Sequence, residues 1–272
     1  MNNSIRTNAE STWCPGCNNF ILLHAVQKVI EKQIESGKRK EDFGIVCGIG
    51  CHGKIFDYLN LPGINTLHGR TAPTCLGMKL AKPDLNVIGF SGDGDAYAEG
   101  IEHLIQMARY NSDFKYIIHN NQVFALTLGQ PTPTTELGYI DKTNPDGVAI
   151  SPLNPVKLML VMGASFVART CCETEQIKYV LEEALKHKGF AYIEVLQPCL
   201  IFHKNEDYKK RFYNLQKTEH NKTNFEEAMA RADEFDYSSK DSKIPVGIFY
   251  QKERKTFEEL KLNMQIAINS EK

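Results

Sequence analysis

The sequence predicts an α/β protein built on a doubly wound parallel sheet with a C-terminal extension, and three observations carry that expectation. Short apolar, β-branched runs alternate with segments of helical spacing through residues 20–196, the pattern of a parallel sheet covered on both faces. Two of those runs, Leu85–Phe90 and Tyr116–His119, stop at Gly92-Asp93-Gly94-Asp95 and at Asn120-Asn121-Gln122-Val123. Parallel sheets bind ligands just outside the carboxyl ends of their strands, so the two tips would share a crevice if the strands are neighbours. Finally, 272 residues with 42% hydrophobic and 24% charged side chains suffice for one large core, or a main domain plus an appendage.

The elements follow in order. Phe20–Leu23, Val26, Val29 and Ile30 recur at helical intervals, and Ser36-Gly37-Lys38 ends that helix. Phe43–Cys47 is short and apolar, a strand leading into the Gly48–Gly53 loop, and Ile64–Leu67 is a second strand that breaks at His68-Gly69-Arg70. After the 85–90 strand a helix is expected from about Ala96 to Tyr110, followed by a strand over 115–119. The Gly/Pro/Thr-rich stretch from Leu128 to about Pro155 is long for a compact domain and reads as a binding or partner-contact loop. Helix 156–162, strand 166–169, helix 174–187 and strand 192–196 complete the alternation. Beyond Cys199 the composition shifts. Residues 203–243 are strongly charged with scattered aromatics, and an amphipathic stretch runs from about Thr256 to Ile268. The chain therefore divides into a main domain, 1–198, and an extension, 199–272, packed on that domain or on a partner.

Charge and composition exclude several classes. A formal net charge of −1 gives no electrostatic case for nucleic acid or an anionic membrane. No apolar stretch reaches the length of a membrane span, and Met1–Arg6 lacks the apolar core of a secretory signal. A cytoplasmic location is expected. Eight cysteines are then no disulfide framework, because reducing compartments keep thiols free. Some of them need another job.

Asp93 and an Asn side-chain oxygen are hard ligands suited to a magnesium-sized cation, and the flanking glycines let the backbone approach a pyrophosphate. The blander reading is a pair of turns capping adjacent strands. Gly-Asp-Gly followed at this spacing by Asn-Asn, however, resembles the thiamine diphosphate motif. Among the thiols, Cys14 and Cys17 form a Cys-x-x-Cys turn, Cys51 lies in the Gly48–Gly53 loop and Cys199 follows Pro198 at a strand exit. Four thiolates there can hold an iron–sulfur cluster or a zinc ion, and a redox dithiol at Cys14/Cys17 is the alternative. Cys75, Cys171 and Cys172 suit the role of small buried residues. Cys47, four residues before Cys51, competes as a ligand but belongs to the strand interior.

Taken together, Trp13–Cys17, Gly48–Cys51, His68-Gly69-Arg70, Gly92–Asp95, Asn120–Val123, Leu126–Gln130, Pro198-Cys199 and Ile244–Tyr250 resemble the β subunit of 2-oxoacid:ferredoxin oxidoreductases. The likeness runs in order from about Trp13 to Phe257. It implies a fold of the thiamine diphosphate-binding type and a subunit that binds thiamine diphosphate, Mg²⁺ and one [4Fe–4S] cluster. By position, the cluster ligands are Cys14, Cys17, Cys51 and Cys199, and the magnesium ligands are Asp93, Asn121 and the carbonyl of Val123. His68 and Gly69, with Gly92, Gly94, Asp95, Leu126 and Thr127, would contact the cofactor.

The implied reaction is oxidative decarboxylation of a 2-oxoacid with coenzyme A to an acyl-coenzyme A and CO2, reducing ferredoxin. The Glu that activates the aminopyrimidine comes, in this cofactor family, from a pyrimidine-binding domain this chain is too short to contain. An α subunit is therefore expected to supply it. Two rivals stand beside this reading: a non-oxidative thiamine diphosphate enzyme with structural zinc, and a non-catalytic zinc-binding interaction module.

The chain departs from the family pattern at three places. Asn18 replaces a usual Gly, and Asn tolerates a left-handed backbone, so the turn is expected to survive. Cys47 replaces a common Ser. Leu128 stands where relatives often carry Lys, close to where the substrate side chain should lie, which favours pyruvate or a branched-chain 2-oxoacid over 2-oxoglutarate.

Overall fold

A computed structural model describes residues 4–204 and 208–262. Helix α1 (Asn19–Glu35) buries Leu22, Leu23, Val26, Val29 and Ile30, the apolar stripe that its spacing dictates. Gly37 ends it at φ 105°: the Lys38 N–H donates to the Gln33 carbonyl at 3.2 Å and the Gly37 N–H to the Ile34 carbonyl at 3.0 Å. That closure needs a left-handed residue at this point.

The chain continues through β1 (Phe43–Cys47), α2 (Ile55–Tyr58), β2 (Gly63–Asn65), α3 (Thr71–Ala81), β3 (Asn86–Gly92), α4 (Ile101–Tyr110) and β4 (Phe114–Asn120). Two short strands, β5 (Val123–Phe124) and β6 (Gln130–Pro131), pair antiparallel at the head of the long loop. Then come α5 (Pro155–Val161), β7 (Phe166–Cys171), α6 (Thr174–Lys186), β8 (Ala191–Leu196), α7 (Tyr208–Arg211), β9 (Phe212–Asn214), α8 (Phe225–Asp233) and β10 (Ile244–Gln251).

Eight strands form one sheet in the order β2-β1-β3-β4-β8-β7-β10-β9. From β2 to β7 every pair is parallel. The residues after Cys199 add β10, antiparallel to β7, and β9, parallel to β10. Side chains alternate between the faces with the strand period of two. Ile45, Ile88, Ile117 and Ile193 pack with α1 and α6, while Val46, Val87, Ile118 and Tyr192 pack with α3, α4, α5 and α8. Strand order reverses between β1 and β3, which opens a crevice at their carboxyl ends.

Two elements differ from the sequence reading. The helix expected from Ala96 begins instead as a π-helical turn over Gly94–Glu99, and α4 starts only at Ile101. The wider turn accompanies an inward-facing, buried Asp95, and such turns recur at functional sites. The amphipathic stretch 256–268 is helical over 257–262, and its remainder lies outside the described residues. Among the described residues, no helix is long and apolar enough to cross a membrane.

Candidate active site

Strands β3 and β4 are neighbours with Gly92 opposite His119, so the two polar tips open into one crevice. His68, Gly92, Asp93, Gly94 and Asp95 line it from one side, and Asn121, Val123, Leu126 and Thr127 from the other. Cys51, on the loop leaving β1, also faces it. Gly69 stands behind this wall and donates its N–H to Asp95 Oδ1 at 2.6 Å. The crevice holds about 90 Å³, against roughly 300–1,000 Å³ for a complete small-molecule site.

Asp93 is 2% exposed. Its Oδ2 accepts from the Thr132 hydroxyl at 2.6 Å, and the Thr134 oxygen lies 3.3 Å from it. Burial pushes its carboxyl up to about 6, against the lowering effect of Thr132 and of the Asn121 N–H. The Asn121 side-chain oxygen accepts from the Val123 N–H at 3.0 Å, closing the tip of β4 into a turn. Behind it, Asn120 donates to Glu194 at 2.7 Å and accepts from Thr134 at 2.9 Å. Glu194 in turn pairs with the fully buried Arg169 at 2.6 Å and accepts from the Tyr237 hydroxyl at 2.6 Å. The carboxylate is thus fixed from the protein side by Thr132, with Thr134 and the Asn120–Glu194–Arg169 network behind it, the kind of arrangement that orients a metal ligand.

Asp95 is committed inward. Its two oxygens face His52 Nε2 and His68 Nδ1, each at 3.2 Å, and it also accepts from the Gly69 N–H and the Ser91 hydroxyl. Burial raises its carboxyl, but His52, Gly69 and Ser91 outweigh burial and hold it below the usual range. Asp95 therefore orients two histidines of the wall. The glycines of the motif serve these side chains as well. A Cβ at Gly92 would come within 2.7 Å of His52 Nδ1, and one at Gly94 within 2.2 Å of the Phe124 ring.

Three loops carrying Cys14 and Cys17, Cys51, and Cys199 meet beside the crevice. The Cys17 N–H donates to the Cys14 carbonyl at 3.0 Å, closing the Cys-x-x-Cys turn. The Trp13 indole N–H donates to the Cys51 carbonyl at 2.7 Å, and the Asn18 amide donates to the Pro198 carbonyl at 2.8 Å. Burial raises the Cys51 thiol to about 11; Lys54 opposes this, and Cys17, Cys199 and Cys14 each raise it further. The Cys199 sulfur accepts from the Phe202 N–H at 3.5 Å. Cys47 is 0% exposed within β1, and the charges that act on it are Asp57 and Asp95. Among the described residues, no three His, Cys, Asp or Glu side chains converge as ligands of a single ion.

Two expectations for the departures change. Asn18 is right-handed at φ −62°, and the left-handed residue of the turn is Gly16 at φ 76°. Asn18 is accommodated without strain, and its amide ties the Cys17 loop to the Cys199 loop. Leu128 is 68% exposed, left-handed at φ 82°, and absent from the crevice wall. Sequence reasoning also passed over His52, His119 and Gln197, which line the crevice. His52 directly follows Cys51 and His119 closes an apolar strand, positions that already marked them as titratable groups at strand exits.

These features define a class. Residues 48–195, which include most of the crevice wall, match the family model of the thiamine pyrophosphate enzyme C-terminal TPP-binding domain. Residues 202–264 match the model for the C-terminal part of the pyruvate ferredoxin oxidoreductase beta subunit. The chain belongs to the family of 2-oxoacid:ferredoxin oxidoreductase β subunits. It is 39% identical over 257 residues to the 2-oxoacid:ferredoxin oxidoreductase subunit beta of Saccharolobus solfataricus, covering 89% of this chain and 82% of that one. To the 2-oxoglutarate synthase subunit KorB of Archaeoglobus fulgidus it is 38% identical over 210 residues, 73% of this chain and 77% of that one. Its structure matches 2-oxoglutarate:ferredoxin oxidoreductase from Magnetococcus marinus, solved with 2-oxoglutarate, coenzyme A and succinyl-CoA bound. The TM-score is 0.90 at 28% identity, over 97% of this chain and 89% of that one.

Proposed function

We propose that this subunit, with an α subunit, carries out the coenzyme A-dependent oxidative decarboxylation of a 2-oxoacid, yielding an acyl-coenzyme A and CO2 and passing two electrons to ferredoxin. The observation that carries this reading is Cys51, which lines the crevice and lies close enough to Cys14, Cys17 and Cys199 for each to raise its thiol. An electron acceptor held by those four residues would adjoin the cofactor, as one-electron oxidation requires.

The residues fit the groups assigned to them. Asp93 is a carboxylate pre-oriented by Thr132 and Thr134, and with the Asn121 oxygen and the Val123 carbonyl it offers hard ligands for Mg²⁺. The metal would neutralise the diphosphate, which His68, Gly69, Gly92, Gly94, Leu126 and Thr127 would bound. Cys14, Cys17, Cys51 and Cys199 would hold a [4Fe–4S] cluster, with N–H donors at sulfur of the kind that tune such clusters. Bound thiamine diphosphate supplies a thiazolium that accepts the electron pair left when CO2 departs. This chain's part is to fix the diphosphate end, orient His52 and His68 through Asp95, and place the thiols beside the crevice.

The small volume of the crevice on this chain supports a second wall from the α subunit, which by the family resemblance would also bring the activating Glu. Residues 1–198 would form the cofactor-binding part and 199–272 the extension that completes the sheet. Eight thiols suit a cytoplasmic location. The Magnetococcus enzyme and the Archaeoglobus relative bear 2-oxoglutarate in their names, and for this chain the substrate class is a 2-oxoacid.

The test is anaerobic copurification with the α subunit, followed by iron, sulfide and visible-absorption analysis and assays on a panel of 2-oxoacids. A brown complex that reduces ferredoxin only with 2-oxoacid and coenzyme A is the expected result. A colourless zinc-loaded complex that decarboxylates without an electron acceptor would overturn it.

A further inference from the structure

The loop that follows Cys199 has almost no core of its own. Leu200 and Ile201 are 42% and 56% exposed, and of residues 200–204 only His203 is buried. The His203 N–H donates to the Cys199 carbonyl at 3.2 Å, so wherever this one anchored residue sits, the backbone of Cys199 follows.

His203 is held by the long loop between β6 and α5. Its Nε2 lies 2.7 Å from the Glu136 carboxylate; a carboxylate only accepts, so the ring donates there. His203 Nδ1 is buried without a partner among the described residues, which makes the bond to Glu136 the ring's one hydrogen bond. The Tyr139 ring lies 5.5 Å from the imidazole, and its hydroxyl donates to the Phe202 carbonyl at 3.0 Å.

The same loop holds Asp93 at its other end. Four residues before Glu136, the Thr132 hydroxyl donates to the Asp93 carboxylate at 2.6 Å. Between the two, the Thr135 hydroxyl accepts from the Thr132 N–H at 2.7 Å and donates to the Gln122 carbonyl. The Thr135 N–H donates to the Thr132 carbonyl at 3.1 Å. Residues 132–135 thus form a closed turn, with Thr132, Thr134 and Thr135 buried and bonded to the tip of β4. A slack loop would absorb a displacement of one end; a turn closed in this way passes it on through contiguous contacts.

We propose that residues 132–136 are a strap joining the metal carboxylate to the loop of the fourth thiol, with Glu136 a positioning residue that acts on Cys199 through His203. When Asp93 is fixed by a cation, Thr132 and Glu136 are fixed with it, and the Cys199 loop is firmed. Coupling between two sites is reciprocal, so a Cys199 loop held in place also strengthens the cation's hold on Asp93. This rests on the reading of Asp93 as a metal ligand and Cys199 as a cluster ligand.

The test is the rate at which an iron(II)-selective chelator strips the anaerobic αβ complex, with and without Mg²⁺ and thiamine diphosphate, alongside calorimetry of Mg²⁺-dependent cofactor binding. In wild type the cofactor should slow iron loss by about fivefold or more, the low end of ordinary coupling between sites. Glu136→Ala should lose iron faster and gain no protection from the cofactor. It should also bind Mg²⁺ and thiamine diphosphate about fivefold more weakly, although the carboxylate it removes is bonded to His203 and not to the metal site. Glu136→Gln keeps an acceptor for His203 and should restore most of the protection. Full protection in Glu136→Ala, or iron loss in wild type that ignores the cofactor, overturns the coupling. Should Glu136→Ala purify without iron, calorimetry decides, and wild-type affinity for the cofactor overturns the proposal. A wild-type complex devoid of iron and sulfide overturns the ligand assignment underneath, and the proposal with it.

Discussion

The Thr132 hydroxyl donates to the Asp93 carboxylate at 2.6 Å, across 39 positions of chain. The long loop after β6 thus reaches back to hold the residue assigned to the metal. Asp93→Ala should abolish Mg²⁺-dependent binding of thiamine diphosphate, since Asp95 is occupied by His52, His68, Ser91 and Gly69. Thr132→Val should weaken Mg²⁺ by about 10–100-fold, the usual effect of losing a residue that orients a ligand. Calorimetry on the αβ complex measures both. Equal affinity in wild type and Asp93→Ala would remove Asp93 from the metal site.

The competing thiols separate by environment. Cys51→Ser should lose the cluster, because its thiol is the one that Cys14, Cys17 and Cys199 together influence. Cys47→Ser should keep it, because that side chain is buried in the core on the α1 face of the sheet. Anaerobic iron and sulfide analysis decides, and the reverse pattern would make Cys47 the ligand. A modest loss of stability is expected for Cys47→Ser, which places a hydroxyl among apolar neighbours.

The strand tips were legible in the sequence because two signals agree there: an apolar run, then Gly, Asp or Asn. Leu85–Phe90 and Gly92–Asp95 gave both the strand and the crevice. Thr132 and Thr134 were not legible as ligand supports, since nothing local distinguishes them from loop threonines. Their role depends on a return path that only tertiary packing sets. The π-helical turn at Gly94–Glu99 was hidden for a related reason, as its Ala-Tyr-Ala pattern also suits an α-helix. Strand β10 was concealed by Pro245 and Gly247, which read as strand breakers. The sheet accommodates them beside an irregular register between Ile248 and Tyr250. Glu136 shows the limit most plainly. Its partner His203 is 67 positions away.

A pH dependence of stability follows from His187. The Asn111 amide donates to the Arg254 carbonyl at 3.0 Å, so its oxygen is the acceptor for Ser165 at 2.5 Å. The Ser165 hydroxyl is therefore used, and His187 Nε2, 2.8 Å away, is the donor to it. Burial, with Lys115 nearby and Asp113 opposing, depresses the imidazole from 6.5 to about 4. An unfolded His binds a proton at higher pH than the folded one, so stability is full above 6.5 and falls as pH drops from there to about 4. The loss is at most about 3 kcal/mol. Thermal unfolding of wild type and His187→Gln between pH 7 and 4.5 should show a flatter profile for the variant. Parallel profiles would assign the acid sensitivity elsewhere.

Leu128 concerns both stability and substrate choice. A branched aliphatic residue at φ 82° with 68% exposure bears a left-handed penalty without burial to offset it. Leu128→Asn, a residue that tolerates this conformation, should raise stability by about 0.5–1 kcal/mol. Leu128→Lys keeps the strain and should leave stability unchanged, so any effect on turnover comes from its charge. The residue directly follows Thr127, which lines the crevice, and its side chain faces outward, where the α subunit would close over the site. A second carboxylate on the substrate needs a cationic partner once it is desolvated. Leu128→Lys should therefore raise kcat/KM for 2-oxoglutarate relative to pyruvate and 2-oxoisovalerate, by about tenfold if the new cation adds about 1.4 kcal/mol of attraction. A wild-type preference for 2-oxoglutarate that the substitution leaves unchanged would show that the distal carboxylate is held by the α subunit alone.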